Sequence, residues 1–134
     1  MKRAVFAVLA VGLLCGVGAR LSAHHSFAAH YDMQKPITIT GAIANVQLTN
    51  PHSWFFLDVK EPDGTVTQWK FEAGTPSGMI RNGYKASELS AGTVVTITGF
   101  PSRASDHVGM LRELKTADGK TYGMFGPQQG AGAR

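Results

Sequence analysis

The residues in this chain best suited to chemistry are its five histidines, and two of them stand side by side as His24 and His25, followed by Ser26 and Phe27. Cleavage of a leader after Ala23 would make His24 the first residue of the working protein. Its free amine and its own imidazole Nδ1 would then chelate one metal ion, and a further imidazole from His25, His30, His52 or His107 would complete a nitrogen site. Copper(II) is the metal expected there, because nitrogen donors in tetragonal geometry suit it and copper heads the divalent affinity series. A terminal amine titrates at about pH 8, so a metal displaces its proton at modest cost. The plain alternative is a mobile polar terminus that takes up stray metal weakly.

The other candidates lie further along. In Asn50-Pro51-His52, Asn and Pro suffice to make a turn, and His52 is the freer residue: a metal ligand, or more simply a side chain bonded to a backbone carbonyl. Trp54, Phe55 and Phe56 offer a stacking platform, but aromatics at strand spacing more often build core, and at least two of the three are expected there. Glu72 is a strand-end acid, expected to be solvated rather than to accept from a histidine. No nucleophile elbow, phosphate-cradling glycine loop or pair of carboxylates stands out, so catalysis has little positive support.

The export reading rests on Lys2 and Arg3 followed by an uncharged apolar run from Ala4 to Gly18. That run is shorter than the roughly 20 residues needed to cross a bilayer, and no second apolar run follows. Small residues precede two possible cuts, after Ala19 and after Ala23; the second is expected, and the first would abolish the terminal chelate. Cys15 follows Leu14, where a lipoprotein signal would carry a small residue, and belongs to the signal helix. It is the chain's single cysteine, so the mature protein has neither a disulfide nor a thiolate ligand. Of the net charge of +4, Lys2, Arg3 and Arg20 leave with the signal, and ten basic residues then face nine acidic ones. With those charges scattered singly, no phosphate-neutralising stripe exists, and a nucleic-acid partner is not expected.

These side chains must be held by β-structure. Ile37, Ile39 and Ile43 share one phase and Val46 and Leu48 the other, which predicts a long first strand with a bulge or bend, eased by Gly41. A second strand over 53–60 is expected to be central and covered on both faces at its start. Pro62-Asp63-Gly64 turns it into a third strand over 65–72, with Trp69 and Phe71 inward and Gln68, Lys70 and Glu72 outward. Thr75 caps the one expected helix, about two turns long, with Met79, Ile80 and Tyr84 on its apolar side. Strands over 93–100 and 110–116 flank a polar loop around 102–109, and a short sixth is expected over 121–125.

Together these predict a mainly β chain: a small OB-like β-barrel of five to six strands with one short helix, preceded by a cleaved signal peptide. An open sandwich is the alternative. Residues 1–23 are read as signal peptide, 24–35 as an N-terminal arm, 36–125 as the barrel and 126–134 as a disordered tail.

The chain also resembles an uncharacterised family of small exported bacterial proteins carrying a domain of unknown function. The resemblance rests on His24-His25-Ser26-Phe27, Tyr31-Asp32, Gly41, Asn50-Pro51-His52, Trp54, Asp58-Val59, Trp69-Lys70-Phe71-Glu72, Gly92 to Gly99, and Asp118-Gly119. His30 departs from it, standing where an acidic residue is expected. The resemblance implies one exported domain and no particular activity. The functional expectation is therefore a periplasmic or secreted binding protein that holds copper through His24, His25 and His52. A metal-free scaffold for an envelope protein and, further off, a copper-dependent oxidative enzyme are the alternatives.

Overall fold

Alternation of apolar and polar residues carries most of this chain into strands. The computed structural model describes residues 27–124, which form α1 (Phe27–His30), β1 (Ile37–Gln47), β2 (Trp54–Lys60), β3 (Val66–Glu72), α2 (Pro76–Arg81), β4 (Val94–Pro101), β5 (Val108–Thr116) and β6 (Thr121–Gly123). Hydrogen bonding runs in the order β3-β2-β1-β4-β5-β6, and a parallel pairing of β3 with β5 closes the first five strands into a barrel. The fold is thus the expected OB-like barrel, with β6 as an added strand on β5.

The long first strand serves two neighbours. Ile37 to Ala42 pair with β4, and Ala42 to Gln47 pair with β2, with the register slipping between Ile43 and Asn45. That slip is the bulge expected from the change of phase. Gly41 sits where the strand changes partner, and a Cβ there would lie 2.7 Å from the Asp58 carbonyl oxygen. Closure buries Ile43, Phe55, Leu57, Phe71, Val95, Ile97, Leu111 and Leu114 in one core.

The cap of α2 follows the sequence: Thr75 Oγ1 accepts from the Gly78 amide at 3.1 Å and Pro76 opens the helix. Met79 and Tyr84 are buried, and the Tyr84 ring meets Phe55 edge-on at 5.9 Å. Ile80, expected on the same side, is instead exposed, since a helix this short turns only a narrow stripe inward.

Three further expectations are corrected. The start of β2 is covered on one face only: Phe55 and Leu57 are buried, while Trp54 and Phe56 are half-buried on the outside of the barrel. β5 begins at Val108, inside the expected loop, because Val108, Gly109 and Met110 pair with Lys70, Phe71 and Glu72. A second helix exists, the single turn α1 in the arm. That arm is fastened to the loop after β4. Tyr31 bridges to Ser102, the Asp32 amide donates to the Pro101 carbonyl at 2.9 Å, and the Arg103 amide donates to the His30 carbonyl at 2.9 Å. The Arg103 side chain adds a bond to the Ala28 carbonyl at 3.2 Å and one to Asp32 at 3.3 Å. The proposed signal peptide, Cys15, His24, His25 and the tail after Gly126 lie outside the described residues.

Candidate functional site

Strand register decides what meets at the mouth of β2. Trp54 pairs with Glu72, so both side chains leave the outer face of the barrel, and His52, two residues before Trp54, follows the same phase. The ladder runs on past both strand ends, with the Ser53 amide donating to the Gly74 carbonyl at 2.9 Å and the Ala73 amide to the Ser53 carbonyl at 2.8 Å. Ser53 thereby turns fully inward, and its buried hydroxyl has no hydrogen-bond partner among the described residues. The Asn50-Pro51 peptide is cis, and Thr49 Oγ1 donates to the His52 carbonyl at 2.9 Å, pinning the turn that delivers the imidazole.

Glu72 is the centre of the cluster. One carboxylate oxygen, Oε1, contacts His52 Nδ1, and the other, Oε2, accepts from the Tyr31 hydroxyl. The Glu72 side chain is only 13% exposed and that of His52 30%. Because a carboxylate only accepts, Nδ1 carries the proton and the lone pair of the neutral ring lies on Nε2. Among the described residues no hydrogen bond reaches Nε2. Burial, then the hydrogen bond to Glu72 and its charge, push the Tyr31 hydroxyl far above the ordinary tyrosine range, so it stays a donor.

A cleft of about 330 Å³ opens beside this chain of groups, lined by Phe27, His30, Tyr31, Pro51, His52, Glu72 and the loop residues Ser102 and Ala104. Phe27, the first described residue of the arm, lays its ring 6.2 Å from that of His52. Two residues back along the chain from Phe27 is His25.

Two expectations change. His52 finds a carboxylate rather than a backbone carbonyl, and Glu72 is not a solvated strand-end charge, because the arm and the 49–52 turn cover it. Of the imidazoles considered with His52, His30 lines the cleft, whereas His107 packs edge-on against Trp69 at 5.2 Å, outside it. Nothing in the sequence marks Tyr31 for this role beyond its place in the Tyr31-Asp32 pair. Among the described residues no three His, Cys, Asp or Glu side chains converge as a metal-binding group; of the three ligands expected, His24, His25 and His52, only His52 is among the described residues, and it lines the cleft with His30.

A larger groove of about 470 Å³ lies where β4, β5 and β6 meet, around Glu88, Asp118, Lys120 and Tyr122. Its charges satisfy one another. Lys120 and Tyr122 both donate to Glu88 Oε2, holding that carboxyl down to about 2, with the lysine bond the larger cause.

The fold and cleft define a small closed β-barrel with an arm-covered histidine–carboxylate pair. The chain belongs to a family of unknown function, DUF6152, whose model matches residues 11–112. Curated proteins show no match to it.

Proposed function

We propose that the chain is an exported binding module, periplasmic or secreted, that holds one copper(II) ion in the cleft beside His52. His52 coordinates through Nε2, and the arm supplies the His24 amine and imidazole, with His25 beside them. The observation that carries the reading is Glu72 on His52 Nδ1, the kind of partner that metal-ligating histidines commonly have on the nitrogen facing away from the metal. Chain reach supports the rest: three residues span at most about 11 Å, and Phe27 already stands against His52. Nitrogen donors without any thiolate favour copper(II) over softer-ligand metals.

Intact mass of the exported protein should place its first residue at His24, and titration should show about one copper(II) with a nitrogen-rich EPR spectrum. Adding one alanine ahead of His24, and separately His52→Ala, should each weaken uptake strongly. Unchanged affinity in both would overturn the reading.

A second reading has its own observation. Trp54 and Phe56 lie on the outer face with Lys70 Nζ 4.1 Å from the Trp54 ring centroid, an amphipathic strip suited to an envelope protein partner. Copper-independent capture of one partner, lost in Trp54→Ala, is the result that would favour it.

A further inference from the structure

We infer that Tyr31 is a positioning residue that sets the tautomer of His52, so that seating the amino-terminal arm and readying the imidazole are one event. As ligand positioning this rests on the copper reading above; as a hydrogen-bond relay it stands in the metal-free protein. The hydroxyl of Tyr31 has a fixed address. The residue is only 4% exposed, its backbone bridges to Ser102, and Arg103 ties the residues on either side of it, through the His30 carbonyl and the Asp32 carboxylate. From there it holds Glu72 Oε2, which leaves Oε1 turned to His52 Nδ1.

An unconstrained neutral histidine carries its proton mainly on Nε2, the nitrogen that would face a metal in this cleft. Glu72 reverses that preference only while the carboxylate keeps its orientation, and Tyr31 is the group that keeps it. The arm therefore acts twice. It brings the Phe27 ring up to His52 at the cleft, and through Tyr31 it turns the His52 lone pair toward the same space. Coupling of this kind is reciprocal: whatever binds at Nε2 also favours the seated arm.

The test reads the tautomer directly, by ¹⁵N correlation NMR of the full-length mature protein without metal, at mildly alkaline pH where ordinary imidazoles are neutral. The wild type should show the proton on His52 Nδ1. Tyr31→Phe keeps the ring and removes the hydroxyl, and should shift His52 toward the Nε2–H form. Copper(II) affinity should fall about 10- to 100-fold in that variant, the usual cost of losing an outer partner of a ligand. Arg103→Gln loosens the arm without touching the relay, and should move the tautomer the same way; it serves also if Tyr31→Phe fails to fold. A His52 that stays on the Nδ1–H form in both variants overturns the inference. A tautomer shift in a protein that binds no copper supports the relay and overturns the metal reading alone.

Discussion

At the scale of single residues, the chemistry depends on pairs that lie far apart in the chain. Glu72 was legible as an outward-facing residue, since the hairpin and its phase follow from Pro62-Asp63-Gly64 and the alternation around Trp69. Its partners were not. His52 comes from a turn and Tyr31 from the arm, 41 residues away, and no local pattern announces either. On the copper reading, replacing His52 by alanine should therefore weaken copper uptake strongly while leaving the barrel folded, because the imidazole sits at the rim rather than in the core; calorimetric titration beside a far-UV spectrum separates the two effects. The half-buried cluster at Glu88 makes a different prediction. Its carboxyl titrates lower in the folded chain, falling from an ordinary 4.5 to about 2, so the stability it lends is complete above the ordinary value and is lost as acid takes the pH down through about 2. Glu88→Gln should melt lower than the wild type at neutral pH, and the gap should close progressively between about pH 4.5 and 2, as thermal melts at each pH will show.

At the scale of elements, local signals were read well and non-local ones poorly. The bulge in β1 and the cap at Thr75 follow from phase and residue type alone. The early start of β5 does not, because Val108 and Gly109 become strand only when β3 arrives beside them. Similarly, Trp54 and Phe56 look like core only if β2 is covered on both faces; they lie on the phase opposite Phe55 and Leu57, which closure of the barrel makes its outer side. Close approach of β4 and β5 gives a sharp test. A Cβ at Gly99 would collide with the Met110 carbonyl oxygen, a backbone atom that cannot rotate away, at the point where the β4–β5 register shifts. Gly99→Ala should cost about 1–3 kcal/mol or more in urea unfolding, the range for forcing atoms into filled space. Thr75→Ala, by contrast, should cost only about 1 kcal/mol, since it removes one cap bond from an exposed helix end.

At the scale of the whole molecule, the barrel was foreseeable from strand count and the need to protect edges without disulfides, whereas the arm's place in it was not. Tyr31 belongs to the core and Phe27 packs against it, so the arm stabilises the domain as well as serving the cleft. A chain beginning at Met33 should lose roughly the stability that deletion of a large buried aromatic costs, about 3–5 kcal/mol, in a denaturant titration. The same pair of proteins tests the coupling of fold and ligand. On the copper reading, free copper(II) at a hundredfold excess over its dissociation constant should add about 2.7 kcal/mol to a chain beginning at His24, because binding to the folded state alone draws the equilibrium toward it. The shortened chain keeps His52 and Glu72 but lacks the terminal histidines and the Tyr31 hydroxyl, so copper at that concentration should leave its unfolding midpoint where it was. Equal stabilisation of both chains would mean that the metal binds without the arm.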